Sequence, residues 1–307
     1  MDPLSEMLAL LRPSNAYVAG LDAGGAWHIA FSGFEGIKFN AVTRGACWVL
    51  LEGETEPVRI EEGDCFLMTR GKPFAFATDL SLPALPSKTV YADAANHVAR
   101  CNGGGDFFLV GGRFNFAMEH AHLMFKSLPP IIHIRRSSDQ AAVLHWGLER
   151  LAGELRNPRL GSALVSEHLA QFMLVEVLRL HLAASPLGLG WLSALADRQL
   201  GRVVSALHAD PGRRWTLASL ASLAGMSRST FAQKFKASVG VAPIDYLTKW
   251  RMLVAADRLL RSSDTVTTIA LGIGYDSESA FSTAFRRTMR CSPTEFQRRP
   301  QTDLAMK

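Results

Sequence analysis

Apolar residues near the C-terminus recur at intervals of three and four, the spacing that places side chains on one face of a helix. This pattern predicts a helix over Leu217–Ala224 and a second helix over Arg228–Val239. Thr216 and Ser227 stand where each helix needs an N-cap, and Gly225 supplies the stop between them. The apolar positions of the second helix are Phe231, Phe235 and Val239. Two short helices joined in this way form a helix-turn-helix.

The same pattern returns further along the chain. The stretch Leu220–Leu247 recurs at Ile269–Phe296, with one residue inserted in the turn. Thr265 or Thr268 would open the second copy, and Ser277 would cap its later helix. The matching pairs are Ala221 and Ala270, Gly225 and Gly274, Phe231 and Phe281, Phe235 and Phe285, Lys236 and Arg286, Pro243 and Pro293, and Tyr246 and Phe296. A repeat that keeps its framework in register indicates two copies of one supersecondary unit.

One long helix is predicted between the two copies. Proline is tolerated in the first turn of a helix, so Pro243 can begin it, and the pattern continues to about Arg261. A helix of roughly 19 residues is a rod of about 28 Å.

The N-terminal half has a different pattern. From about Ser14 to Ile134, short apolar runs of strand length alternate with glycine turns. Strands are predicted at Trp27–Phe31, Ile37–Val42, Cys47–Leu51, Val58–Ile60, Cys65–Met68 and Phe74–Ala77. Many short strands separated by glycine turns favour a sandwich or a barrel.

Two helices, Asp139–Arg156 and Leu160–Ala184, are predicted between the halves. The second is apolar over more than one face, which suggests burial against the strands and against a second copy of the chain. Ala184–Gly190 contains Pro and Gly and is interpreted as a hinge. The expected organisation is therefore residues 1–136 as an N-terminal domain, 137–190 as a helical linker and dimerisation segment, 191–299 as a helical domain and 300–307 as a tail.

Charge is distributed unevenly over the 307 residues. From Asp197 to the end there are 17 Lys and Arg against 9 Asp and Glu, whereas residues 1–196 hold 16 against 19. The basic excess lies on the segment that carries the repeat, which is the electrostatic footprint expected for contact with nucleic-acid phosphates. The linking helix would then hold two recognition helices about one turn of DNA, roughly 34 Å, apart.

The C-terminal third, from about Trp191 to Arg299, resembles the DNA-binding domain of AraC/XylS family transcription regulators. The resemblance rests on the runs GMSRSTFAQKFKASVGVAP, IDYLTKWRMLVAADRLL and IALGIGYDSESAFSTAFRRTMRCSPTEF. It implies an all-α domain with a double helix-turn-helix, in which the later helix of each copy reads double-stranded DNA.

Side-chain chemistry and the resemblance together give the expected DNA contacts. Arg228 can pair with guanine and Gln233 with adenine, since both lie early on the exposed face of the first recognition helix. Cations later in the helices suit phosphates, and these are Lys236, Arg286 and Arg287. The resemblance places base readers at Ser229, Ala232 and Gln233 in the first copy and at Glu278, Ser279 and Thr283 in the second. Because Thr283 stands where many relatives carry arginine, we expect the first copy to dominate recognition.

The N-terminal half resembles the cupin-like domain found on a subset of AraC-type regulators. The resemblance rests on the runs FNAVTRGACWVLLEGETEPVRIEEGDCFLMTRGKPF, FFLVGGRFNF and LPPIIHI. It implies a cupin-like β-barrel or jelly roll that holds a small-molecule effector, with the effector-binding residues not identified. The expected fold class is α+β and multidomain, with linker helices between this domain and the all-α double helix-turn-helix.

We expect no metal and no other cofactor. Asn40 and Phe74 stand where the metal-binding histidines of cupin enzymes are expected, and a site needs several converging ligands. His28 is interpreted as a hydrogen-bonded core residue. Three further histidines would converge if their segments were extended, but surface or loop positions are the simpler interpretation: His120, His122 and His133.

Cysteine spacing favours neither a zinc site nor a thioredoxin-like site, since Cys47, Cys65, Cys101 and Cys291 form no CxxC pair. Redox control through Cys101 is one alternative, provided that its thiol is exposed and acidic. Gly111 stands where some relatives carry a sensing cysteine, which weakens that alternative. The others are a cupin-type metalloenzyme fused to a DNA-binding domain and an alkyl-transfer repair protein, which would need a zinc–thiolate cluster.

The sequence therefore predicts a transcription regulator that is not an enzyme and has no catalytic residues. Its expected partners are double-stranded DNA, a small-molecule effector, RNA polymerase and a second copy of the chain in a homodimer. No signal peptide or membrane-spanning run is recognised, so we expect a cytoplasmic protein. Activation is the expected mode, although the residues do not distinguish it from repression and give neither the effector nor the operator.

Overall fold

The computed structural model describes residues 2–11, 13–116, 128–137, 142–184 and 191–298. The chain divides into two compact units. One, called the β unit below, consists of Pro13–Asn115 and Pro129–His181. The other, called the helical unit, consists of Met1–Arg12, Phe116–Leu128 and Leu182–Lys307.

Short strands make up most of the β unit. They are β1 (Pro13–Ala23), β2 (His28–Phe31), β3 (Ile37–Arg44), β4 (Ala46–Leu51), β5 (Val58–Glu61), β6 (Cys65–Met68), β7 (Phe74–Ala77), β8 (Leu85–Pro86), β9 (Val98–Cys101), β10 (Phe107–Phe116) and β11 (Ile131–Ile134). The six predicted strands all form, with ends within two residues of those expected. A short helix, α2 (Ser87–Val90), follows β8.

The strands pair into two sheets. The larger has the order β11-β6-β3-β10-β1-β9 and the smaller has the order β5-β4-β7-β2-β8. In the larger sheet the antiparallel register of β3 and β10 places Asn40 opposite Gly111 and Lys38 opposite Arg113. A Cβ atom at Gly111 would lie 2.7 Å from Asn40 Oδ1, so a larger residue there would displace the Asn40 side chain.

Apolar side chains from both sheets meet in one core. The larger sheet contributes Leu21, Val42, Phe66 and Leu109, and the smaller contributes Ile29, Val49 and Phe76. A core enclosed between two sheets is that of a β-sandwich, so the described strands form the jelly-roll version of the expected fold. The sequence could predict this because strand-length runs and glycine turns are local features.

Two helices follow the strands, α3 (Ala142–Arg156) and α4 (Ser162–Ala184). The predicted start of α4 at Leu160 is wrong, because Leu160 lies in a turn and Gly161 has a φ of 84°. Glu154 joins the two helices, since it accepts from the Ser162 hydroxyl at 2.5 Å and pairs with Arg159 at 2.9 Å. The predicted start of the earlier helix at Asp139, and the hinge after Ala184, lie outside the described residues.

The helical unit contains α1 (Pro3–Leu11), α5 (Trp191–Ala196), α6 (Arg198–Ala209), α7 (Leu217–Ala224), α8 (Arg228–Val239), α9 (Pro243–Arg261), α10 (Val266–Gly272), α11 (Glu278–Met289) and α12 (Pro293–Gln297). The predicted linking helix is confirmed, because α9 begins with Pro243 in its first turn and ends at Arg261. The first helix of the chain, α1, packs against α6 and α9 and buries Met7 completely. No local pattern indicated that the N-terminal helix belongs to this unit.

Candidate nucleic-acid interface

The first helix-turn-helix consists of α7 and α8. The Thr216 hydroxyl accepts from the Ser219 amide at 3.1 Å, and the Ser219 hydroxyl accepts from the Thr216 amide at 3.0 Å, so α7 begins with a capping box. The Ser227 hydroxyl accepts from the Thr230 amide at 3.2 Å and caps α8. Gly225 lies between the helices with a φ of 66°, a left-handed conformation that glycine adopts without steric cost.

The second helix-turn-helix, α10 and α11, repeats this construction. The Thr265 hydroxyl accepts from the Thr268 amide at 3.1 Å, so Thr265, rather than Thr268, is the N-cap of α10. The Ser277 hydroxyl accepts from the Ala280 amide at 3.2 Å at the start of α11. Gly274 in the turn has a φ of 85°.

The turns and the buried rings have nearly the same geometry in both copies. The Met226 amide donates to the Ala221 carbonyl at 3.0 Å, and the Tyr275 amide donates to the Ala270 carbonyl at 3.0 Å. The buried ring pairs are Phe231 with Phe235 (centroids 5.6 Å apart) and Phe281 with Phe285 (5.4 Å apart). These rings fix each recognition helix against its helix-turn-helix partner and leave its opposite face outward.

The ten residues expected to contact DNA lie on α8 and α11. Ala232 is half-buried, and the exposed ones are Arg228, Ser229, Gln233, Lys236, Glu278, Ser279, Thr283, Arg286 and Arg287. Within the described part of the chain, the side chains of Arg228, Gln233 and Lys236 have neither a hydrogen bond nor an ion pair. The first copy therefore presents cationic and amide groups that are available to a ligand.

In the second copy, two of the expected readers are already hydrogen-bonded within the protein. Glu278 accepts a short hydrogen bond from the Thr267 hydroxyl. The Thr283 hydroxyl donates to the Ser279 carbonyl at 3.0 Å. These bonds reduce the number of free polar groups that α11 offers outward.

Polar contacts outside the predicted site position α8. Lys234 Nζ lies 2.6 Å from Asp197 Oδ2 and 3.3 Å from Gln199 Oε1. Asp197 also caps α6 by accepting from the Gln199 and Leu200 amides. Burial raises the pKa of Asp197, but the Lys234 and amide hydrogen bonds outweigh burial, so its pKa lies below the usual value. An acidic residue before a helix is an N-cap signal, which could have indicated Asp197.

His208 on α6 is buried against aromatic side chains of α9 and lies close to Glu6 of α1. Its ring stacks on Trp250 with centroids 3.8 Å apart, and its Nε2 lies 2.8 Å from the Tyr246 hydroxyl. Burial lowers the pKa of His208 to about 3, so the ring is neutral at pH 7. The 3.7 Å approach of Glu6 Oε2 to Nδ1 is therefore not an ion pair at that pH. These contacts join α6 to α9.

The redox alternative required an exposed, acidic thiol at Cys101, and the structure does not provide one. Cys101 is 5% exposed, and burial raises the pKa of its thiol. Burial also raises the pKa of Cys47 and Cys65 to about 12. Since the thiolate is the reactive form, these buried thiols do not support redox sensing.

The described histidines make ordinary structural contacts, and so does Asn40, which stands where cupin enzymes carry a metal-binding histidine. Asn40 is buried and donates to Met68 Sδ at 3.7 Å. His28 is half-buried, with its Nδ1 2.7 Å from the Leu82 carbonyl, which confirms the hydrogen bond but not the core position. His133 Nε2 lies 2.8 Å from Asp64 Oδ2. Burial raises the pKa of Asp64, but hydrogen bonding outweighs burial, so the pKa lies below the usual value.

Phe74, at the other missing ligand position, is buried in the core, and His120 and His122 lie outside the described residues. Across the ranges that the structure describes, no three His, Cys, Asp or Glu side chains are grouped so as to hold a metal ion.

Among the helices of the described residues, none combines the length and apolar character required to cross a bilayer.

Comparison with known proteins agrees with this architecture. A family model described as Cupin matches residues 2–183, and one described as Helix-turn-helix domain matches residues 220–299. The chain is 42% identical over 301 residues to an AraC-like transcription regulator of Streptomyces antibioticus, covering 98% of this chain and 99% of that protein. It is 29% identical over 305 residues to the RCS-specific HTH-type transcriptional activator RclR of Escherichia coli K12, covering 97% and 98%.

Two solved structures are also similar. The DNA-binding domain of AdpA in complex with a target DNA is 32% identical and covers 33% of this chain and 90% of that chain, with a TM-score of 0.31. ToxT from Vibrio cholerae O395 is 13% identical and covers 92% of this chain and 96% of that chain, with a TM-score of 0.36.

A cupin domain joined to a duplicated helix-turn-helix defines a DNA-binding transcription regulator. The chain belongs to the AraC-type family of these regulators.

Proposed function

We propose that α8 and α11 enter successive major grooves of double-stranded DNA and that α8 supplies most of the sequence recognition. The duplication supports this proposal, because one helix-turn-helix precedes and an equivalent one follows the same 19-residue helix, α9. The basic excess of the segment from Asp197 onward supplies the attraction to phosphates.

Each group on the recognition helices has a role suited to its chemistry. Arg228 and Gln233 read guanine and adenine edges, Ser229 adds a hydroxyl, and Ala232 offers a methyl contact. In the second copy Glu278, Ser279 and Thr283 face the bases. The cations that bind phosphates and set the register are Lys236, Arg286 and Arg287.

The β unit is the proposed effector-binding part, and the protein acts as a regulator in the cytoplasm rather than as an enzyme. Effector binding would change the contacts or spacing of the DNA-binding units, and RNA polymerase is the partner through which activation would act. A redox switch and metal catalysis are not part of this proposal, because the thiols are buried and the histidine positions of cupin enzymes hold Asn40 and Phe74.

The proposed homodimer uses the exposed apolar surface of α3 and α4. Trp146 and Leu164 are each 59% exposed, and Val143, one turn before Trp146, and Val165, next to Leu164, are exposed as well. Large apolar groups at the surface favour association with a second apolar surface. Light scattering should show a dimer at micromolar concentration, and Trp146→Glu should shift it toward monomer. A wild-type monomer under these conditions would contradict the dimer.

Footprinting tests the DNA-binding proposal. Hydroxyl-radical cleavage of the region upstream of the protein's own gene should show two protected patches per subunit, about one helical turn apart. Lys236→Ala should weaken binding to all sequences and reduce the salt dependence by about one phosphate contact. A single patch per subunit would refute the simultaneous use of both helices.

A further inference from the structure

Lys38 is a cation inside the β unit, at one end of the space between the sheets. It lies on β3 with Asn40 and Val42 on the same face, since alternate residues of a strand share a face. That face is directed into the core, because Val42 belongs to the core cluster. Lys38 is half-buried, and its Nζ faces three rings, at 4.8 Å from the centroid of Phe74, 5.2 Å from Phe31 and 5.3 Å from Phe34.

A second cation stands beside it. The register of β3 and β10 places Arg113 directly opposite Lys38, so the two side chains leave the sheet on the same face. Arg113 is also half-buried. Like charges in direct cross-strand positions repel each other, and burial together with Arg113 lowers the pKa of Lys38 to about 8. With that pKa, Lys38 is nevertheless mainly charged at pH 7.

Nothing in the described surroundings neutralises this pair. Across the strand from Lys38 on β6 is Met68, and the neighbouring inward positions are Asn40 and Gly111. Within the residues that the structure describes, neither Lys38 nor Arg113 forms an ion pair with a carboxylate. The rings attract the ammonium through their faces, but they do not cancel its charge.

Two unneutralised cations against an aromatic wall are a prepared site for an anion that carries an apolar body. We propose that the effector of this regulator is a small organic carboxylate, held between Lys38 and Arg113, with its apolar part against Phe31, Phe34 and Phe74. A carboxylate matches the fork of a guanidinium and lowers the repulsion between the two cations. A phosphate dianion suits the site less well, because the rings cannot replace its hydration. This inference rests on the proposed role of the β unit as the effector-binding part.

The test is ligand binding to the full chain without DNA. Thermal unfolding is measured with benzoate and octanoate, with the neutral benzamide and octanamide as matched controls, and with phenyl phosphate. At least one carboxylate at saturation should raise the Tm by about 3 °C or more, and its amide should not. The proposal is overturned if no carboxylate raises the Tm, if the amide does so equally, or if phenyl phosphate alone does so.

Variants then locate the site. Lys38→Met keeps an apolar stem but removes the charge, so it should abolish the carboxylate response, and Arg113→Gln should weaken binding at least tenfold. Lys88→Met, at an exposed lysine, should respond as the wild type does. If folded Lys38→Met still shows the full rise in Tm with the carboxylate, the site is not at Lys38. If Lys38→Met does not fold, the binding measured with Arg113→Gln decides whether the site is correct. The DNA footprint is measured without these compounds, so the two proposals can fail separately. Two protected patches on DNA together with no rise in Tm by any carboxylate would reject this inference and leave the DNA-binding proposal standing.

Discussion

The two helix-turn-helix copies share their apolar geometry and differ in their polar contacts. The distance between the two buried ring centroids of the recognition helix is 5.6 Å in the first copy and 5.4 Å in the second. The first copy also has Lys234, which pairs with Asp197, and Tyr246, whose hydroxyl meets His208. The second has Ala284 and Phe296 at the equivalent positions and cannot form either contact. Both copies therefore keep the packing of their buried rings, whereas these polar contacts with α6 are made by the first copy.

The outward faces of the two recognition helices also differ in their polar contacts. Gln233 is exposed, and no group in the described chain competes for its amide. The equivalent Thr283 is bonded to the Ser279 carbonyl. A recognition helix that is held firmly and has unoccupied polar groups is better suited to discriminate between bases. The difference indicates that duplication preserved the framework while the recognition faces diverged.

The largest expected effect tests the shared framework. Phe235→Ala and Phe285→Ala each remove a completely buried ring, and each should cost about 3–5 kcal/mol of unfolding free energy. Chemical unfolding followed by circular dichroism would measure both losses. Gln233→Ala, at an exposed position, is the control and should change stability by less than about 0.5 kcal/mol. A loss below about 1 kcal/mol at one phenylalanine would show that the two frameworks are not equivalent.

The next effect tests the attachment of the first copy to α6. The unfolded chain protonates His208 near pH 6.5, whereas the folded state, with a pKa of about 3, does not. The unfolded state therefore binds more protons between these values, and stability should fall as pH is lowered through that window, by about 1.4 kcal/mol per pH unit.

Thermal unfolding of wild type and His208→Gln across this pH range isolates the contribution of that ring. The variant should lose this part of the slope. Tyr246→Phe makes the first copy resemble the second, and it should lose about 1 kcal/mol but keep the slope. An unchanged slope in His208→Gln would contradict the assignment.

A smaller effect separates the two recognition faces. Gln233→Ala should reduce discrimination at one base pair by about 1–3 kcal/mol, because it removes a bidentate contact. Thr283→Ala should change discrimination much less. Fluorescence anisotropy with single-base variants of the operator measures both, and the reverse order would refute the dominance of the first copy.

The smallest effect concerns the ends of the recognition helices. Gly240 and Arg290 occupy equivalent C-cap positions, both left-handed, with φ of 84° and 61°. A non-glycine residue is strained there, so Arg290→Gly should stabilise the fold by about 0.5 kcal/mol after allowing for the greater entropy of the unfolded chain. Gly240→Ala should cost about 1 kcal/mol. Arg290→Ala is the control for the loss of charge. If it stabilised the fold as much as Arg290→Gly does, the gain would not come from relief of backbone strain.

Local pattern predicted most of the fold. The bounds of α9 and the caps at Thr216, Ser227 and Ser277 were predicted because capping and helical spacing involve residues within one or two turns. The start of α4 was predicted two residues early, because an apolar Leu160 continued the pattern although Gly161 turns the chain. The candidate DNA-contacting face could be predicted for the same reason, since the buried phenylalanines fix which positions point outward.

The sequence by itself determined the duplication, the framework rings, the linking helix and the strand-rich N-terminal half, because each depends on neighbours in the chain. The tertiary structure alone decided the contacts between distant residues. It placed α1 against α6 and α9, Lys234 against Asp197, and Lys38 beside Arg113 within reach of three rings. Such contacts depend on strand register and helix packing, which no local spacing specifies.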